Sequence, residues 1–143
     1  MGIYYGATYK HIRPFVKKAA AVDIEYKEFI PLSEFFHMTT DEFFSQNETK
    51  YDVVFIDALH EYFQVKKDFE NAFKCLKQGG TIFLHDTDPY SEKYLGPSFC
   101  ADSYKMNDYL LDSADYQYVT IPMDKCGLTI VRRIGDNRYT QFV

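Results

Sequence analysis

Residues Tyr51 to Asp86 form a strand–helix–strand pattern that leaves few folds open to the chain. The run Tyr51-Asp52-Val53-Val54-Phe55-Ile56-Asp57 is apolar, too short for a helix and too rich in β-branched residues for a loop. Beyond it, Val65, Phe69, Ala72, Phe73 and Leu76 recur at i, i+4, i+7, i+8 and i+11, which makes one apolar stripe along a helix. Gly79-Gly80 is the predicted C-cap. The second strand, Thr81 to Asp86, is apolar until its last two residues, His85 and Asp86. A helix-length crossover between two buried strands makes them parallel neighbours in an α/β sheet. Ligands of such sheets bind at the carboxyl ends of the strands. Asp57, His60, His85 and Asp86 are therefore expected at one rim.

The chain has 143 residues, of which 46% are hydrophobic and 18% aromatic, enough for a single small domain spanning 1–143. No apolar run reaches the ~18 residues of a membrane span and no signal peptide is apparent, so no membrane partner is expected. Cys75, Cys100 and Cys126 are odd in number and lack a C-x-x-C pair. That pattern argues against a disulfide framework or a zinc site and for a reducing, cytoplasmic location. A net charge of −5 argues against nucleic acid as a partner. Lys10, Arg13 and Lys17 read as a solvated basic face.

Elsewhere the pattern predicts a helix over Ala7–Lys18, shortened or kinked by Pro14. Ala20–Asp23 reads as a short strand ending in an acid. Residues Ile24 to Phe36 are irregular around Pro31. Thr39 and Glu42 form a capping box that opens a short helix through Gln46. A polar loop runs from Thr87 to Cys100, followed by a predicted helix over Asp102–Leu111 and a hairpin of strands at Tyr116–Ile121 and Leu128–Ile134. The tail from Gly135 has little structural pattern.

The stretches VDIE, MTTDEFF, YDVVFIDALHEYFQVKKDFENAFKCLKQGGTIFLHD and CGLTIVRR, in that order, resemble the class I S-adenosylmethionine (SAM)-dependent methyltransferases, and within them the small O-methyltransferases related to the macrocin enzymes. The resemblance covers Gly2 to about Arg133, and its central stretch is the specific part. It implies an α/β, Rossmann-like methyltransferase sheet of mostly parallel strands with a C-terminal antiparallel hairpin. In relatives a long first strand precedes the glycine loop and lies between the strands placed here at Ala20–Asp23 and Tyr51–Asp57. That strand is missing or replaced in this sequence. Unpaired backbone groups on its two neighbours would cost roughly 1–3 kcal/mol each. A rearranged sheet, or a homo-oligomer whose second copy completes it, is the expectation.

Carried over residue by residue, the resemblance implies that Gly2 and Gly6 lie beside the methionine portion of SAM, where backbone must approach closely. It implies that Asp23 accepts from the ribose hydroxyls, as acids in dinucleotide folds do, and that Thr39 and Thr40 lie near the adenine. Asp57 and Asp86, on neighbouring strands ~5 Å apart, either share a divalent cation such as Mg²⁺ or serve as a helix cap and a turn former. His60 is either a general base for an acceptor hydroxyl or an exposed loop histidine. His85 is expected to hydrogen-bond at its strand end rather than to act as a ligand. Tyr4, Tyr5, Tyr62 and Tyr90 are pocket candidates among thirteen tyrosines.

The function so implied is O-methylation of a small hydroxylated molecule, such as a sugar. The competing class is a truncated, non-catalytic relative serving as a binding or assembly module. A different nucleotide is disfavoured because no G-x-G-x-x-G is present.

Overall fold

The computed structural model describes residues 1–111 and 113–134. In chain order these form α1 (Ala7–Ile12), β1 (Ala21–Asp23), β2 (Phe35–His37), α2 (Thr40–Gln46), β3 (Tyr51–Ile56), α3 (Tyr62–Cys75), β4 (Leu76–His85), α4 (Met106–Leu110), β5 (Tyr116–Ile121) and β6 (Leu128–Arg133), with 3-10 turns at Arg13–Phe15, Glu92–Tyr94 and Ser103–Lys105. The sequence reading of the tail beyond Ile134 lies outside the described residues.

The expected crossover is present. β3 and β4 pair in parallel, with Phe55 opposite Phe83 and Ile56 opposite Leu84. β4 then pairs antiparallel with β6, and β6 with β5, so the predicted hairpin closes a four-stranded sheet of order β3-β4-β6-β5. A separate two-stranded parallel sheet joins β1 to β2, Ala21 opposite Phe35. Between the two sheets run Met1 and Gly2. The Met1 ammonium donates to Phe55 O (2.7 Å), Asp57 N–H donates to Met1 O (3.0 Å), and Gly2 N–H donates to Val22 O (3.0 Å). Two residues thus stand where a full strand was expected, and the described sheet is divided.

α3 packs its stripe on the four-stranded sheet. Val65, Phe69 and Ala72 meet Leu76, Ile82, Leu84 and Val131, with Met106 and Leu110 of α4 closing the layer. Phe69 sits at the centre, its ring 5.9 Å from Phe73, 6.2 Å from Tyr109 and 5.7 Å from Tyr116.

Several boundaries differ from the sequence reading. Gly79-Gly80 does not cap α3, which ends at Cys75. Arg133 Nη1 donates to the carbonyls of Phe73 (3.2 Å) and Leu76 (2.9 Å), so a side chain from β6 satisfies the helix end. Gly79, at φ +73°, instead turns the excursion between the Tyr51–Leu76 and Val53–Thr81 pairs. Pro14 stops α1 at Ile12, earlier than Lys18. The helix predicted over Asp102–Leu111 is a 3-10 turn followed by the short α4. β2 was not foreseen in the irregular stretch, because three residues are too few to display alternation. The Thr39–Glu42 capping box is present as expected.

Replacing Phe69 by Ala should cost ~3–5 kcal/mol of unfolding free energy, since its ring is buried among aromatic neighbours that cannot close the cavity. Thr39→Ala should cost only about 1 kcal/mol, the worth of an N-cap. Urea denaturation of both variants measures the contrast.

Candidate functional site

Parallel pairing delivers the ends of β3 and β4 to one rim, and there the four expected side chains meet. His60 Nε2 lies 2.9 Å from Asp86 Oδ2 and 3.5 Å from Asp57 Oδ1. His85 Nδ1 lies 3.1 Å from Asp86 Oδ2 and 3.3 Å from Asp57 Oδ1. Both imidazoles therefore bridge the same two carboxylates. His85 does hydrogen-bond at its strand end, as expected, but to the carboxylates themselves.

The other nitrogen of His60, Nδ1, donates to the carbonyl of Phe99. A carbonyl can only accept, so Nδ1 carries hydrogen, and Nε2 facing carboxylate oxygens must carry one too. Hydrogen bonding to Asp57 and Asp86 accordingly pushes the His60 pKa up to about 10. The same two partners push His85 up to about 10. Burial works to raise the Asp57 and Asp86 carboxyls, but hydrogen bonds from His60 and His85 together hold both below the usual carboxylate range. The rim is a charge-balanced square of two anions and two cations. His60 in this state carries a proton and can accept one only after the carboxylates release it.

Beside the rim opens a cleft of about 480 Å³ that includes Gly2, Tyr4, Asp23, Thr39, Thr40 and Asp57 in its lining. Val22, Ile24, Met38 and Leu59 give it apolar walls. Gly2 is at φ +73°, and a Cβ there would fall 1.8 Å from Asp57 O, so only glycine lets this backbone pass. Asp23 Oδ2 accepts from Ile3 N–H (2.7 Å) and Tyr4 N–H (3.2 Å), and Oδ1 accepts from Glu25 N–H (2.8 Å). Three of a carboxylate's roughly four acceptor positions are thereby taken. Asp23 therefore anchors the glycine loop while lining the cleft.

The structure does not bring every expected residue to the cleft. Gly6 is buried at the start of α1, where a Cβ would strike the Phe29 ring at 2.2 Å, so its glycine answers to packing rather than to a ligand. Thr39 lines the cleft, but its hydroxyl is committed to Glu42 of the capping box. Tyr5 and Tyr90 are exposed, and Tyr62 lines a different depression with Phe63 and Tyr104.

Two further residues escaped sequence reading. Lys27 is buried in the cleft wall, 2.9 Å from Glu25 and 3.9 Å from Asp23. Asp68 is fully buried and accepts from Gln64 (3.0 Å) through Oδ1, and its Oδ2 has no hydrogen-bond partner among the described residues; burial raises its pKa. An acid interrupting the Val65–Phe69 stripe was the signal for Asp68. Nothing local marks Lys27.

Residues 2–87 match the family model described as a methyltransferase domain. The chain belongs to the methyltransferase domain family. Solved structures agree on the fold. An rRNA methylase from Streptococcus thermophilus superposes with a TM-score of 0.66 at 11% identity, covering 92% of this chain and 82% of that one. A protein of Corynebacterium glutamicum gives 0.58 at 16% identity, over 77% of this chain and 52% of that one. The O-methyltransferase TomG of Streptomyces achromogenes, involved in tomaymycin synthesis and solved in complex with SAM, gives 0.50 at 16% identity, over 68% and 48%. This methyltransferase domain thus spans about half the length of the latter two proteins. Among curated protein sequences none matches it. No helix among the described residues is long and apolar enough to cross a membrane.

The raised histidines set a pH dependence of stability. A folded pKa above the unfolded value of ~6.5 contributes stability that is complete below that value and lost as pH rises toward about 10. The thermal midpoint should therefore fall between pH 6.5 and 10, and less steeply in a His85→Gln variant. Calorimetric scans across that range check it, and identical slopes would contradict the bridging geometry.

Proposed function

We propose that this domain binds SAM in the Asp23 cleft and methylates a hydroxyl oxygen of a small acceptor held at the Asp57–Asp86 rim. The observation that carries the reading is the double place of Asp57, which lines the cleft and belongs to the charged square. A cofactor in the cleft and an acceptor at the rim would meet at that residue.

SAM supplies an already activated methyl group, so the protein's work is alignment and removal of one proton. The apolar walls and the Gly2 backbone fit a nucleoside with a flexible tail, and the acids Asp23 and Asp57 favour a cationic sulfonium. His60 and His85 would stabilise negative charge developing on the acceptor oxygen, and Asp57 would take the proton that the acceptor hydroxyl loses.

The donor set also fits a divalent cation. Asp57, His60 and Asp86 each offer one ligand atom, all within 4.8 Å of one another. The carboxylates would provide oxygen ligands, and His60 would provide Nε2 in place of its proton, with Nδ1 already oriented by Phe99 as ligand histidines are. Such a cation would lower the pKa of the acceptor hydroxyl; Mg²⁺ would rest on the two carboxylates, and an ion that accepts imidazole nitrogen would take all three.

Calorimetric titration with S-adenosylhomocysteine tests the assignment. Binding should be one to one, and Asp23→Asn should weaken it roughly tenfold or more, the worth of a hydrogen bond to a charged group. Absence of binding at millimolar ligand would remove the enzymatic reading. The divided sheet favours the second reading, an assembly module in which another copy pairs between β1 and β3. That version expects a dimer in sedimentation and no cofactor affinity.

A further inference from the structure

A second set of ligand atoms meets the rim at Asp86, and the proposed methyl transfer does not use its two sulfurs. Asp86, Cys100 and Cys126 each present one donor atom, and these atoms all lie within 4.8 Å of one another. The three residues come from separate segments: the end of β4, the connection from β4 to α4, and the β5–β6 turn. The spacing of the cysteines in the sequence hides their meeting, and the absence of a C-x-x-C pair concealed a metal-type cluster.

Backbone contacts hold the cluster in place. Asp86 N–H donates to Gly127 O (3.2 Å) and Asp88 N–H to Cys126 O (2.7 Å), which fastens the end of β4 to the turn. The Ser103 hydroxyl lies within hydrogen-bond distance of both Asp86 O and Cys100 O, fastening the connection to the same point. Asp86 itself is held at φ +63°, an uncommon conformation for a residue with a side chain. Cys100 is 0% exposed, Asp86 4% and Cys126 9%, so the donors face one another rather than water.

Sulfur donors decide the kind of ion. Thiolates select zinc and similar soft cations, whereas Mg²⁺ takes oxygen. With Zn–S bonds of ~2.3 Å, tetrahedral ligands stand ~3.8 Å apart, so donors already gathered within 4.8 Å need only a small inward movement. We propose that Asp86, Cys100 and Cys126 form a binding site for a thiophilic divalent cation, zinc by its ligand chemistry. On binding, two S–H bonds break, two metal–sulfur bonds form and two protons leave to solvent; no electron is transferred. The resulting unit of two thiolates, one carboxylate and Zn²⁺ carries one net negative charge, which the His60 imidazolium, 2.9 Å from Asp86 Oδ2, would offset. The site shares Asp86 with the oxygen–nitrogen set of Asp57 and His60 and is told apart from it by its sulfurs.

Reduced, metal-free full-length chain titrated with Co²⁺ tests the site. One Co²⁺ should bind per chain with intense near-ultraviolet thiolate-to-metal absorption, and one equivalent of Zn²⁺ should remove that absorption. Cys126→Ser should abolish the band and Cys75→Ser should leave it intact. A measurement on the unaltered protein guards against a variant that does not fold: X-ray absorption of the zinc-loaded chain should show two sulfur neighbours at ~2.3 Å. A zinc shell of nitrogen and oxygen alone, no bound metal, or a Cys100–Cys126 disulfide that persists in reductant would each overturn the proposal.

Discussion

The parallel pairing of β3 with β4 is the constraint on which the rest of this molecule depends. With Ile56 opposite Leu84, Asp57 one residue beyond Ile56 and Asp86 two residues beyond Leu84 come to the same rim. A slip of one residue would turn every side chain of a strand to the other face and scatter the cluster. The pairing is secured by apolar burial: α3 covers Ile82 and Leu84 with Val65, Phe69 and Ala72, and β6 covers the other edge of β4. Packing on the face of the sheet therefore fixes the geometry at its rim.

Once gathered, a buried carboxylate and a half-buried one must find positive charge. Here two imidazoles supply it, each protonated and each touching both acids. The proposed sulfonium in the cleft, divalent ion between Asp57 and Asp86, and soft metal on the thiol side of Asp86 would each answer the same need. Asp86 is common to both ligand sets. Its positive φ and its two backbone anchors hold it where the strand end, the Cys100 segment and the Cys126 turn converge.

Much of this was legible in one dimension. The Val53–Ile56 run, the α3 stripe and the Thr39–Glu42 box are local patterns whose physics acts over a few residues, and each appears where it was expected. The helix end was misread because Gly79-Gly80 looked like a sufficient stop, while the actual cap is Arg133, a residue from the far end of the chain. β2 was invisible because three residues carry no period. Asp23, expected as an acceptor for ribose hydroxyls, lines the cleft, but its observed partners, Ile3 and Tyr4 N–H, are known only once the glycine loop is placed.

By itself the sequence determined the α/β class, the crossover and the two strand ends bearing acids, because hydrophobic periodicity and strand length are encoded locally. Tertiary structure decided what those acids touch. The bridging of Asp57 and Asp86 by two histidines, the burial of Lys27, and the meeting of Cys100 with Cys126 arise from contacts between segments distant in the chain. Such contacts leave no spacing to read. They follow from which surfaces fold against one another, and that is settled by the packing of the whole domain.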